Sequence, residues 1–258
     1  MIEVVALPEG GEETTWQVQR EGVTVGTART RLRRGGLLLL GLDVAPTDAA
    51  ESLDALLAAL GELGHDALVV DVPADDPVLE VALAGRPLQL QATQMLLDLA
   101  DVPAPPARVA LRPMTAAEFQ GYRDQLITAY AEDMLDAGAF TDRDRALEAS
   151  VASTEQLLPD GLDTPGQHLW TAHDGEALVA ILWIAVDGPT GYIYDIEVHH
   201  DQRRRGYGRE VLDAGARAAH DLGARELGLN VFGHNDGART LYERAGYATT
   251  ERTYRLAT

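Results

Sequence analysis

The chain contains no cysteine and no lysine. The first absence removes disulfide scaffolds, thiolate metal sites and a thiol nucleophile. Any metal would have to rest on histidine and carboxylate, and the seven histidines show no HExxH or similar spacing, so no metal is expected. Apolar runs long enough to cross a bilayer are missing as well. The opening Met1-Ile2-Glu3-Val4-Val5 lacks the basic and apolar regions of a signal peptide, and a cytoplasmic location away from the membrane is expected. Positive charge is scarce: 21 basic residues, all arginine, stand against 41 acidic ones, for a formal charge of −20. That balance opposes a general affinity for nucleic acid or anionic membrane, and neither is expected as a partner. It suits solubility in a crowded cytoplasm, and it would also attract a cationic substrate.

What remains is a 258-residue chain, 46% hydrophobic and 24% charged, the profile of a soluble globular protein with room for two ordinary domains. The stretch Asp101-Val102-Pro103-Ala104-Pro105-Pro106-Ala107 breaks every periodicity, because proline fixes φ, lacks a donor and disfavours helix in the residue before it. It reads as a linker over residues 102–107, dividing a domain at 1–101 from one at 108–258. The same order of elements stands on either side. Residues 38–44 read as a strand and 49–63 as a helix with Leu53, Leu56, Leu57, Leu60 and Leu63 on its apolar face. Gly64 stops that helix, and 67–72 reads as a buried strand. In the second half 192–198 is a strand, 206–222 a helix, Gly223 the stop and 226–232 the next strand. Leu68-Val69-Val70-Asp71-Val72 aligns with Leu227-Gly228-Leu229-Asn230-Val231. The pattern predicts a duplicated α/β unit. Its first copy is shorter between strand and helix, where the second carries an Arg/Gly-rich turn.

That turn, Gln202-Arg203-Arg204-Arg205-Gly206-Tyr207-Gly208, follows a predicted strand and opens a predicted helix. The first N–H groups of a helix lack intrahelical partners, and its dipole adds partial positive charge there. Gly206 and Gly208 let a phosphate approach the backbone, while Arg203, Arg204 and Arg205 supply charge-assisted hydrogen bonds. A ligand with several phosphates is implied. The spacing is neither GxGxxG nor GxxxxGK[ST], which argues against dinucleotide and P-loop sites. Arg203-x-x-Gly206-x-Gly208 resembles the pyrophosphate-binding signature of the GNAT superfamily of N-acetyltransferases. Asn235-x-x-Ala238-x-x-Leu241-Tyr242-x-x-x-Gly246-Tyr247 resembles that family's second signature at the expected distance. The resemblance covers residues 108–258, and the tandem arrangement with a degenerate first copy is similar to mycothiol synthase in architecture.

The resemblance implies two tandem GNAT-like domains, each a mixed, mostly antiparallel sheet flanked by helices, with chemistry only in the second. It implies acetyl-CoA as cosubstrate, bound through Arg203, Arg204, Arg205, Gly206, Tyr207, Gly208 and Asn235 and through main-chain groups of Ile196 and Val198. A primary amine of a small molecule or peptide would attack the thioester directly. Tyr242 stands at the family's general-acid position; its counterpart in the first copy is Val81 or Leu83, and neither has a hydroxyl. Strand alternation puts Asp195 and Glu197 on one face and Tyr194, Ile196 and Val198 on the other. Glu197 is the first candidate for the base and Asp195 the second. Relatives that acetylate protein N-termini often carry glutamate where this chain has Asn230. Acceptor contacts are expected from the segment between Met114 and Leu158, where Glu132 and Asp133 could hold an ammonium group beside Tyr130. His168 and Trp183 are not assigned to the site. A non-catalytic acetyl-CoA sensor and a transferase of longer acyl groups remain alternatives. The duplicated chain is expected to be a monomeric pseudo-dimer or a homodimer.

Overall fold

The computed structural model describes residues 1–7, 12–33, 36–102 and 105–258. They form two compact units, one of Met1–Thr93 with Thr250–Thr258, the other of Gln94–Thr249.

In the first unit, β1 (Ile2–Ala6), β2 (Glu13–Arg20), β3 (Val23–Arg33) and β4 (Gly36–Asp43) pair antiparallel in sequence order. Helix α1 (Pro46–Glu62) leads to β5 (Ala67–Pro73), which runs parallel to β4, and α2 (Pro77–Leu83) follows. The apolar stripe of α1 buries Leu53, Leu56, Leu57 and Leu60, as its periodicity predicts. Leu63 departs from that expectation. It is the helix C-cap and 64% exposed, because the helix ends at Glu62 before the stripe reaches it.

The chain's final strand, Ala248–Ala257, pairs antiparallel with β5 from Glu251 opposite Pro73 to Ala257 opposite Ala67. Leu256, 3% exposed, packs in one cluster with Leu53, Leu68 and Val70. The units therefore divide the chain differently from the boundary expected at residues 102–107. Prolines interrupt hydrogen bonding locally, but a paired strand that inserts a leucine into a core decides where a segment belongs. Pro103 and Ala104 of that stretch lie outside the described residues.

The second unit takes the end of β6 (Gln89–Asp98) from Gln94 onward, then β7 (Val109–Pro113), β8 (Gln167–Asp174), β9 (Ala177–Asp187), β10 (Thr190–Val198) and β11 (Glu226–Phe232). Their order is β6-β11-β10-β9-β8-β7, antiparallel from β7 to β10 and parallel between β10 and β11. Helices α3 (Ala116–Asp136) and α4 (Arg143–Leu157) lie between β7 and β8, α5 (Tyr207–Asp221) between β10 and β11, and α6 (Asp236–Ala245) after β11. Both units are thus mixed, mostly antiparallel sheets with helices, the tandem α/β arrangement expected. Leu182, Ile184, Leu212, Leu227 and Leu229 are fully buried in one core, and Phe119, Tyr122, Ile181 and Trp183 form a second cluster with α3. A capping box fixes the start of α3: Thr115 Oγ1 accepts from the Glu118 N–H, and the Glu118 carboxylate accepts from the Thr115 N–H.

The two units differ where the sequence copies differ. Only residues 44–45 separate β4 from α1, whose first residue is Pro46 and whose start has no side-chain cap. Residues 199–206 separate β10 from α5. The first unit also has no helix between its first two strands among the described residues. No helix among the described residues is long and apolar enough to cross a membrane. Among them, no group of three or more histidine or acidic side chains is arranged to hold a metal.

Because Leu256 sits in the first unit's core, Leu256→Ala is expected to lower stability by about 2–5 kcal/mol. Ending the chain at Thr249 should remove the first unit's cooperative unfolding in urea. An unchanged denaturation midpoint for the shortened chain would contradict this assignment of the last strand.

Candidate active site

The pairing of β10 with β11 runs from Thr190 opposite Glu226 to Ile193 opposite Leu229 and stops there, although the strands continue to Val198 and Phe232. On its other edge β10 stays paired with β9 as far as Val198 opposite Ala180. That register shifts by one residue between Ile193 and Asp195, leaving Tyr194 as the extra residue of a bulge. The bulge changes the phase of the strand. Ile193, Ile196 and Val198 all pack on the core that holds Tyr242, whereas the simple alternation would have put Ile193 with Asp195 and Glu197. Past the last β10–β11 pair lies a cavity of about 470 Å³, lined by Ile196, Asp195 and Glu197 from β10, Asn230 from β11, Tyr242 from α6 and Arg203 from the turn.

The turn has a backbone geometry that favours an anion. Arg204 (φ 62°) and Gly206 (φ 88°) both adopt left-handed conformations, and Gly206 stands at the start of α5 with no side chain capping the helix. A turn in which right- and left-handed residues alternate can aim successive N–H groups into a common concavity. At Gly208 a Cβ would fall 2.9 Å from Leu241 Cδ2, so the missing side chain lets α5 and α6 approach. Arg203, Arg204 and Arg205 are all exposed. Arg203 Nε donates to the Val198 carbonyl at 3.0 Å and Nη2 lies 3.5 Å from Glu197, while Arg205 Nη1 donates to Gln202 Oε1 at 3.2 Å.

A brace that the sequence reading missed holds this turn. Arg108 donates through Nε to Glu210 Oε1 at 2.7 Å and through its main-chain N–H to Oε2 at 2.9 Å. Its Nη2 reaches the Arg205 carbonyl at 3.1 Å, and its guanidinium lies 4.6 Å from the centre of the Tyr207 ring. The buried Tyr207 donates to Asp174 Oδ2 at 2.7 Å. Tyr207 therefore serves the turn as a packed, hydrogen-bonded anchor. No sequence spacing connects Arg108 or Asp174 to the motif.

Tyr242 is 8% exposed and lines the cavity, and no hydrogen bond to its hydroxyl is found among the described residues. Burial, with the charge of Asp195 adding to it, pushes the phenol up to about 12. Asp195, half-buried, accepts a hydrogen bond from the Tyr122 hydroxyl at 2.9 Å. Burial pushes its carboxyl up to about 6, the Tyr122 hydrogen bond and the Ile196 N–H working against that rise and the Glu197 and Asp133 charges with it. Glu197 is exposed and engaged with Arg203. Asn235 also lines the cavity, but its Oδ1 caps α6 by accepting from the Ala238 N–H at 3.1 Å.

Helix α3 supplies the opposite wall. Tyr122, Tyr130 and Asp133 lie eight and eleven residues apart, spacings that return to one helical face. Tyr130 and Asp133 line the cavity, Tyr130 with its ring 6.2 Å from that of Phe232 and Asp133 with Oδ1 3.4 Å from His234 Nε2. Burial raises the Asp133 carboxyl. Glu132 is turned away to Arg143 at 3.0 Å. Trp183, left out of the sequence-based site, lines the cavity and stacks on Tyr194 at 4.7 Å, whereas His168 stacks on Trp170 at 5.6 Å outside it.

The Acetyltransferase (GNAT) family matches residues 125–247. The uncharacterized N-acetyltransferase YycN of Bacillus subtilis (strain 168) is 36% identical over 148 residues, which cover 55% of this chain and 94% of that protein. Its crystal structure superimposes with a TM-score of 0.53 over 55% of this chain and 93% of its own. A GCN5-related N-acetyltransferase from Sphaerobacter thermophilus, 19% identical, superimposes with a TM-score of 0.58 over 96% of this chain and 82% of its own, a likeness of fold. A mycothiol acetyltransferase of Beutenbergia cavernae is 39% identical over 82 residues, 31% of this chain and 28% of that protein. With the parted strands, the arginine turn and the matched motifs in one unit, the chain belongs to the GNAT family and is an acetyltransferase.

Proposed function

We propose that the second unit moves the acetyl group of acetyl-CoA to the amine of a small molecule or peptide, by direct attack of the nitrogen on the thioester. The observation that carries this reading is the cavity where β10 and β11 part, into which the unpartnered Tyr242 hydroxyl and the unladdered edge of β10 both open. The residues at its mouth fit a pyrophosphate: two left-handed residues, an uncapped helix start and three exposed arginines. In this reading Arg203, Arg204 and Arg205, with the N–H groups around Gly206, Tyr207 and Gly208, bind the phosphates. Arg203 then exchanges its bond to Val198 for the ligand, and Asn235 shapes the cavity through the helix it caps. The main-chain edge at Ile196 and Val198, past the end of the β10–β11 ladder, aligns the pantetheine arm and polarises the thioester carbonyl.

Tyr242 protonates the departing thiolate. A phenol ordinarily near 10 donates to a thiol near 8.5 only when geometry favours it, and a buried hydroxyl held without another partner meets that need. A β10 carboxylate receives the proton that the ammonium form of the acceptor must lose, and Glu197 is the candidate nearest the arginine turn. The acid- and ring-lined wall at Tyr130, Asp133 and Phe232 suits a cationic, partly apolar acceptor. The first unit, with only residues 44–45 and Pro46 where the turn would be, binds no acetyl-CoA.

Calorimetric titration is expected to give one acetyl-CoA per chain. The double variant Arg203→Ala/Arg205→Ala should bind at least about tenfold more weakly, since each charge-assisted hydrogen bond contributes roughly 1.5–3 kcal/mol before solvent screening reduces it. Two sites per chain, or equal affinity in the variant, would contradict the assignment. Tyr242→Phe should lower kcat about a hundredfold while acetyl-CoA affinity stays within about twofold; unchanged kcat would remove Tyr242 as the acid.

A further inference from the structure

We propose that Asp195, rather than Glu197, takes the proton of the acceptor amine, and that Tyr122 is the residue that positions it. The inference rests on the amine-acetylation reading above and names the base within it. The bulge at Tyr194 is the first observation. By adding one residue to β10 it leaves Ile193, Ile196 and Val198 on one core and turns Asp195 toward α3. There the Asp195 carboxylate meets the Tyr122 hydroxyl at 2.9 Å. Tyr122 is 4% exposed and packed in one cluster with Phe119, Ile181 and Trp183, so its hydroxyl is held in place by the surrounding side chains. Burial keeps that phenol protonated far above its ordinary range, and it therefore donates to the carboxylate at any working pH.

The cavity supplies the second observation. Asp195 and Tyr242 line the same space, and the charge of Asp195 is felt at the Tyr242 phenol. A base and an acid within electrostatic reach of one another, on the two sides of the parted strands, is the arrangement a direct transfer needs. Glu197 is less suited. It is exposed, and the arginine beside it at 3.5 Å draws it to the arginine turn.

The groups facing Asp195 are Tyr122 and Asp133 from α3, Glu197 and the Ile196 N–H from its own strand, Tyr242 from α6 and the neutral Trp183 from β9. The nearby Arg203 is engaged with Glu197, and His234 Nε2 lies 3.4 Å from Asp133 Oδ1. Among the described residues no arginine pairs with Asp195, and burial pushes its carboxyl up to about 6. That is about two units closer to an amine than an ordinary carboxylate at about 3.9, yet the group is still mostly ionised above pH 7.

The ammonium gives a proton to Asp195, the freed nitrogen attacks the thioester carbon, and an N–C bond forms. The C–S bond then breaks, the sulfur takes the Tyr242 proton, the remaining excess proton on nitrogen passes to the Tyr242 oxygen, and Asp195 releases its proton to solvent. One amide, one thiol and one proton result.

The test is the pH profile of kcat/KM for the wild type and for Asp195→Asn, Glu197→Gln and Tyr122→Phe, with an amine found by screening against acetyl-CoA. Asp195→Asn should lose more than about a hundredfold above pH 7, and Glu197→Gln less than about tenfold. Removing the Tyr122 donor weakens the ionised form of Asp195, so the acid limb of Tyr122→Phe should move to higher pH by about half a unit or more. Removing the Glu197 charge relieves repulsion, so the limb of Glu197→Gln should move the other way. Asp195→Asn within tenfold of wild type, or a Tyr122→Phe limb that does not move, would overturn the proposal. Carboxyl NMR titration provides a readout free of turnover: one resonance titrating near pH 6 should vanish in Asp195→Asn and rise in Tyr122→Phe. If every amine fails with the wild type, the acetylation reading falls. The titration then still decides whether the Tyr122–Asp195 pair behaves as described, and a resonance at ordinary carboxylate pH would overturn it.

Discussion

Two parallel strands stay laddered only while their twist keeps the edges together, and a bulge increases the local twist of the strand that carries it. In this chain the bulge at Tyr194 coincides with the end of the β10–β11 pairing at Ile193 and Leu229. One extra residue thus has several consequences. It opens the cavity, leaves a main-chain edge of β10 without a ladder partner, and turns Asp195 toward Tyr122. The cavity gains Tyr242 from α6 and Tyr130 and Asp133 from α3, but neither helix would face a gap if the ladder continued.

The turn after β10 depends on a different balance. Three adjacent arginines repel one another, and Arg204 in a left-handed conformation carries a further cost of roughly 1–2 kcal/mol. Glu197, Gln202 and the Arg108–Glu210 brace offset part of this, and the buried Tyr207 ties the start of α5 to Asp174. Strain of this kind persists where the surrounding contacts over-determine the backbone, and it is concentrated at sites that bind ligands. The first unit avoids the cost by joining β4 to α1 through residues 44–45.

Much of this organisation was legible in the sequence because it is local. Apolar periodicity located α1, β5, α5 and β11, and three consecutive arginines beside two glycines after a strand marked the turn. The features that escaped depend on partners distant in sequence. Arg108 reaches the turn across about a hundred residues, and no spacing rule connects the two. The last strand carries nothing in its composition to say that Leu256 completes the first unit's core. Asp195 and Glu197 look alike in a strict alternation, and only the bulge and the hydroxyl of Tyr122 separate them. Leu63 continued the leucine stripe in the sequence, but the helix ended first.

Amide hydrogen exchange with and without acetyl-CoA tests most directly the claim that the chain has one cofactor site, where β10 leaves β11. The account predicts added protection across residues 194–210 and no change across residues 36–73. Protection in the first unit, or none along β10 and the arginine turn at saturating acetyl-CoA, would contradict it.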